Sequence, residues 1–173
     1  MKKLDVINSS PYGMNAMRRR TVILQILVAG ALSLQPALAA DLPTLTLSAG
    51  STTVVYDRDA LEAMPQTEIN TTSPWTEGVV HYEGVALSHL LEVSAADGAM
   101  AIVTALNDYS VDIPTSDFAE FGPILAIKRD GEYMPVSDKG PFFIVYPFDE
   151  NPELRQQPYH GRAVWQVKAI AIP

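Results

Sequence analysis

From residue 45 onward the apolar positions come in short runs whose period changes along the chain. Leu45 and Leu47 alternate with polar neighbours and predict a first strand, and residues 54–56 predict a second. Asp57 is placed to cap a short helix over 58–64, which Pro65 stops. Segments 67–72 and 79–82 read as strands on either side of Ser73-Pro74-Trp75-Thr76-Glu77-Gly78. From Val85 the period lengthens. Leu87, Leu90 and Leu91 stand at i, i+3 and i+4 with His89 and Glu92 on the other face, which predicts an amphipathic helix ending near Asp97-Gly98. Segment 100–106 is a nearly continuous apolar run, a buried strand, and Tyr109, Val111 and Ile113 then alternate with Ser110 and Asp112. Thr115 or Ser116 is placed to cap a turn over 117–121. Segment 124–127 is a strand leading to the hairpin signal Asp130-Gly131. Residues 142–146 read as a central strand, 149–160 as a polar loop with two prolines, and 163–172 as the last strand. Many short strands with two or three short helices predict a β-rich α+β domain over residues 40–173.

The first 39 residues carry a different pattern. Arg18-Arg19-Arg20 precedes an apolar run over 21–34 that is short for a bilayer crossing, and Pro36-Ala37-Leu38-Ala39 offers the small residues of a signal-peptidase site. Residues 1–39 are expected to be a signal peptide cleaved after Ala39. Ordinary Sec export to the periplasm is favoured over a twin-arginine route or an uncleaved membrane anchor, and Met14 or Met17 is an alternative start. Cleavage leaves seven basic and nineteen acidic residues, a net charge near −12. Such a surface repels nucleic acid and anionic membrane, so neither is an expected partner, and no membrane insertion is expected after cleavage. An anionic ligand must find a local cationic pocket built from Arg58, Lys128, Arg129, Lys139, Arg155, Arg162 or Lys168.

The chain has no cysteine, which removes disulfides, thiolate nucleophiles, iron–sulfur clusters and thiolate-held metals. His81, His89 and His160 lack metal-ligand spacing. No P-loop, dinucleotide or nucleophile-elbow motif is present.

Four blocks, in order, carry a family resemblance. Trp75-Thr76-Glu77-Gly78, Tyr82-Glu83-Gly84-Val85-Ala86-Leu87 and Leu90-Leu91 resemble the first core block of the sulfite-oxidase-type molybdopterin-binding domain. Asn107-Asp108-Tyr109 through Ile113-Pro114 resembles the second. Leu125-Ala126, Asp130-Gly131 and Lys139-Gly140-Pro141 resemble the third, and Arg162 with Val164-Trp165 resembles the closing block. The resemblance implies a sulfite-oxidase-like molybdopterin-binding fold. Its catalytic members ligate molybdenum through a cysteine, whose position falls near Thr71-Thr72 here, and a protonated threonine hydroxyl is a poor replacement for a thiolate. The chain looks most like a short, exported, cysteine-free branch that binds reduced pterins and reports to membrane receptors controlling cyclic-di-GMP. The implied function is that of a non-catalytic periplasmic pterin-binding protein. It would relay ligand status to the periplasmic domain of a membrane sensor of cyclic-di-GMP or kinase type, with a reduced pterin as ligand and no tightly required cofactor. The alternatives are a molybdenum-cofactor oxidoreductase subunit holding molybdopterin, or a degenerate interaction domain.

A pterin needs a flat wall, a polar edge and donors for its oxygens. Trp75, Tyr82, Tyr109, Phe142 and Trp165 are the aromatic candidates. Asn107, Asp108, Asp130 and Asp138 are candidates for the polar edge, and Lys139 with Gly140-Pro141, together with Arg162, for the cationic part. Each has a competing structural role. Trp75 can anchor its loop on the core; Tyr82, Tyr109 and Trp165 can simply pack. Alternation leaves open whether Phe142 or Phe143 faces outward. Arg162 has Asp149 and Glu153 as competing partners on an acidic surface.

Overall fold

The structure is a computed structural model and describes residues 42–173. The signal peptide expected over 1–39 lies outside the described residues. Among those described, no helix is long and apolar enough to cross a membrane.

Strands β1 (Thr44–Ala49) and β2 (Thr52–Asp57) lead to helix α1 (Arg58–Glu62), then β3 (Gln66–Thr71), β4 (Val80–Ala86) and helix α2 (Leu87–Ser94). Next come β5 (Met100–Ala105), β6 (Ser110–Pro114), α3 (Ser116–Glu120), β7 (Ile124–Arg129), β8 (Glu132–Tyr133) and β9 (Phe143–Val145). A 3-10 turn (Pro152–Arg155), α4 (Gln157–Arg162) and β10 (Val167–Ile172) complete the order.

The strands form two five-stranded sheets. The first runs β2-β1-β10-β5-β6, with β1 and β10 parallel and the other pairs antiparallel. The second runs β3-β4-β7, with β8 and β9 both pairing β7 along its remaining edge. Burial follows the pattern of side chains. Ile124, Leu125, Ala126 and Ile127 are all buried, so β7 is covered on both faces. In β5 only Ala101, Val103 and Ala105 are buried while Met100 and Ile102 are exposed. Its continuous apolar run therefore covers one face, not two, because that sheet is packed on one side.

Local chemistry explains several boundaries. Asp57 accepts from the Ala60 N–H at 2.8 Å and caps α1, as its position predicts. Asp130 and Gly131 take φ values of 51° and 81°, so the two-residue turn joins β7 to β8 with Arg129 opposite Glu132. Thr115 does not cap α3 through its side chain; its hydroxyl donates to the Gly98 carbonyl at 2.8 Å. Helix α2 ends at Ala95, which takes a left-handed φ of 52°, ahead of the expected Asp97-Gly98.

Segment 149–160 is not a plain loop. Asn151 accepts from the Glu153 N–H at 2.9 Å to start the 3-10 turn, and Pro158 sits in the first turn of α4, where a missing N–H costs nothing. The last strand starts at Val167 instead of Ala163, because Gln166 adopts φ 57° and breaks the extended run. The chain over 163–165 instead lies against β9, through the Phe143–Trp165 bridge and the Ile144 N–H donating to Val164 O at 2.9 Å.

Candidate functional site

Three backbone segments meet at a pair of tryptophans. Trp75 stands on the 73–78 loop, where the Ser73 and Thr76 hydroxyls are 2.9 Å apart and close a tight local turn. Trp165 stands just before the left-handed Gln166, whose N–H donates to Lys139 O at 2.9 Å and whose side-chain amide donates to Val136 O at 2.7 Å. Those two bonds tie the 135–140 turn to the start of β10. The rings of Trp75 and Trp165 meet edge to face, 5.4 Å apart at 83°. Trp165 stays 39% exposed, although its backbone is bridged to Phe143.

Two adjoining depressions share this pair. One, of about 220 Å³, is lined by Trp75, Ser137, Asp138, Lys139, Trp165 and Gln166. Lys139 takes φ 65°, and its ammonium lies 5.8 Å from the Trp165 ring centroid. Asp138 accepts from Arg129 at 2.7 Å through Oδ2 and from Lys139 at 3.3 Å through Oδ1. The Arg129 hydrogen bond chiefly, opposed by partial burial and helped by Lys139, holds the Asp138 carboxyl below its ordinary range. The depression thus offers a flat indole, an ionised carboxylate and an ammonium.

The other depression, of about 370 Å³, includes Trp75, Asn107, Tyr109, His160 and Trp165 in its lining. Asn107 Oδ1 accepts from the Tyr109 N–H at 3.1 Å, which leaves its amide N–H groups for other partners. Tyr109 is exposed. Helix α4 contributes Gln157, His160 and Gly161. His160 packs edge to face on Trp75 at 5.9 Å and on Phe148 at 5.4 Å.

Trp75, Asn107, Tyr109, Asp138, Lys139 and Trp165 therefore line one or other of these two adjoining depressions. Seven other candidates lie elsewhere, of which Asp108 pairs with Lys168 and Asp130, in the β7–β8 turn, accepts from the His81 N–H at 3.1 Å. Tyr82 and Phe142 are buried in the core: alternation on β4 turns Tyr82 inward, and Phe142, just before β9, lies with Phe143 in a segment buried throughout over 141–148. Tyr82 packs against Phe143 at 5.8 Å, its hydroxyl is enclosed without a protein partner, and burial raises its pKa. Gly140 is also buried, and a Cβ on it would collide with the Met134 and Pro135 backbone. Pro141 lines a separate groove with Met134 and Leu42. Arg162 pairs with neither Asp149 nor Glu153; its Nη1 donates to the buried Asp117 at 2.7 Å. The α4 residues Gln157, His160 and Gly161 carry no motif of their own. The one available signal is proline in a possible first helical turn at 158.

The position near which the sequence resemblance places a metal-ligating cysteine, Thr71-Thr72, is already engaged in other contacts. Thr71 is buried; its hydroxyl donates to Thr72 O at 3.1 Å and accepts from the Asp149 N–H at 3.2 Å. The Thr72 hydroxyl and N–H both donate to the Asp149 carboxylate, at 2.7 and 2.6 Å. These residues clasp β3 to the 149 loop and do not fit a thiolate-ligated molybdenum. Among the described residues no group of three His, Asp or Glu is clustered to hold a metal ion.

The two sheets and their order define a β-rich α+β protein of sulfite-oxidase-like molybdopterin-binding fold. A solved structure of similar fold is the sulfane dehydrogenase SoxCD from Paracoccus pantotrophus. It aligns with TM-score 0.58 and 17% identity over 75% of this chain and 38% of that one. The chain thus spans well under half the length of that neighbour. No protein-family model and no curated protein sequence matches the chain.

Proposed function

We propose that the protein is a non-catalytic pterin-binding protein of the periplasm, which relays occupancy of the Trp75–Trp165 site to a membrane sensor of cyclic-di-GMP or kinase type. The observation that carries this reading is the exposed Trp165 face with Lys139 beside it and Asp138 next in the same depression. A reduced pterin is a flat bicycle with donors along its amidine edge and a carbonyl beyond it. The indole supplies the wall, Asp138 accepts from the amidine edge and Lys139 donates to the carbonyl. The Asn107 amide, in the adjoining depression, is available to the hydroxylated side chain.

Catalysis through a bound molybdopterin is the weaker reading. The chain has no cysteine, the Thr71–Thr72–Asp149 clasp fills the position where the relatives' ligand falls, and Lys139 already shares Asp138 with Arg129. A phosphate in that depression would meet the Asp138 charge. Export by residues 1–39 and a single mature domain over 40–173 belong to the same proposal.

The test is anaerobic titration with a tetrahydropterin, followed by tryptophan fluorescence. Both tryptophans of the chain lie at the site, so binding quenches the emission. Trp165→Ala and Lys139→Ala weaken binding, each by about tenfold or more, with the circular dichroism spectrum unchanged. Unchanged affinity in both variants would place the ligand elsewhere.

A further inference from the structure

A third depression, apart from the tryptophan pair, is the roomiest of those described. It is a groove of about 750 Å³ whose walls include Leu42, Leu106, Met134 and Val136. Leu42, Leu106 and Val136 are large apolar side chains left exposed there. That volume falls in the ordinary range for small-molecule sites. The 134–141 segment serves both regions: its ends, Met134 to Val136 and Pro141, line the groove, and Ser137 to Lys139 line the pterin depression.

Two cations border this groove, Arg58 and Lys168. Lys168 is engaged by Asp108 and offers mainly its methylene stem. Arg58 differs from the other six cations of the described residues. Lys128, Arg129, Lys139, Arg155, Arg162 and Lys168 each form an ion pair with a carboxylate, and Arg58 forms none. Its guanidinium instead stacks on Tyr133, 4.1 Å from the ring centroid, which fixes the group in place, and its Nε is enclosed without an acceptor. Acidic residues outnumber basic ones in this chain by 20 to 12, yet the charge of Arg58 acts on Glu62 only at a distance, and its guanidinium makes no contact ion pair beside the apolar groove.

We infer that this groove binds an amphipathic carboxylate, an aliphatic chain lying along Leu106, Met134 and Val136 with its anionic head on Arg58. A planar guanidinium held against an aromatic ring is suited to a carboxylate because it presents paired N–H donors in a fixed plane. The apolar walls provide the driving force and Arg58 selects the sign of the head group. This site is independent of the pterin reading, since Arg58, Leu106 and Val136 line neither of the depressions at the tryptophan pair.

The experiment uses the full chain and decanoate below its micelle concentration, with decyltrimethylammonium as the probe of opposite charge. Methyl resonances of Leu106, Met134 and Val136 are expected to shift saturably with decanoate and not with the cation. Arg58→Gln is expected to weaken decanoate binding about tenfold, the loss of one charge-assisted contact. Leu42→Glu, at an exposed position on the groove wall outside the 135–140 turn, is expected to weaken it strongly while leaving tetrahydropterin quenching unchanged. Absence of a saturable shift, equal binding of the two head groups, or an Arg58→Gln variant of unaltered affinity would each overturn the inference.

Discussion

Arg162 donates from Nη1 to Asp117 Oδ2 at 2.7 Å, and this pair fixes helix α4 to helix α3. The Tyr146 hydroxyl donates to the same oxygen at 2.9 Å, and Asp117 is only 4% exposed. Burial, reinforced by the Asp117 charge, pushes the Tyr146 hydroxyl far up, so it remains a donor throughout the usable pH range. Arg162 is therefore a positioning residue. It holds the helix that brings Gln157, His160 and Gly161 to the tryptophan pair.

Arg162→Ala leaves a buried carboxylate without its cation. The expected loss is roughly 3 kcal/mol of unfolding free energy, read from the urea midpoint at constant slope. Arg162→Lys, which keeps the charge but loses the planar fork, is expected to recover part of it. An Arg162→Ala midpoint equal to the parent's would mean that the pair does not hold α4.

Asp138 gives a pH signature. Its folded-state carboxyl titrates below the ordinary value, first because of Arg129, so protons bind the unfolded chain more readily than the folded one. Its contribution to stability is fully present above the unfolded value of about 3.9 and is lost as pH falls through the lower folded value. Carbon-detected titration of the carboxyl should show the depressed midpoint. Asp138→Asn should flatten the acid limb of the stability curve relative to the parent, and two superimposable limbs would remove Asp138 from the ion-paired cluster.

Gly140 is a question of space. A Cβ there would run into the Met134 carbonyl and the Pro135 carbonyl, both backbone and unable to rotate away. The Gly140 N–H also donates to Pro135 O at 2.9 Å, so the turn that carries Asp138 and Lys139 depends on this close approach. Gly140→Ala is expected to cost about 1–3 kcal/mol and to weaken pterin binding through displaced Lys139. Calorimetry and the fluorescence titration read the two effects, and a variant as stable as the parent would show that the turn yields.

The parts of the fold that were legible in the sequence are those decided by local chemistry. The alternation at Leu45 and Leu47, the Asp57 cap and the Asp130-Gly131 turn each mark their element without reference to the rest of the chain. Helix α4 was not legible, because Gln157-Pro158-Tyr159-His160-Gly161-Arg162 has weak helical preference. It is held by tertiary contacts: the Arg162–Asp117 pair and Tyr159 stacked edge to face on Phe121 at 5.2 Å. Candidates where a residue type and a turn coincide, as at Lys139 and Trp75, line a common depression. Candidates whose placement depends on facing and packing do not. Tyr82 is an aromatic residue in the right block that β4 register turns into the core, and Phe142 lies in a segment that is buried on both sides. Arg162 likewise had nearer carboxylates in sequence than Asp117, which reaches it across 45 positions.

The central claim, a pterin site without a metal, is tested most directly by assaying one anaerobically purified sample of the protein for both components. Loaded with a tetrahydropterin and desalted, it should retain pterin by fluorescence and mass spectrometry near one equivalent per chain and carry no molybdenum by elemental analysis. Trp165→Ala should lose the pterin. Molybdenum at one equivalent per chain, or a protein that retains no pterin at any loading concentration, would contradict it.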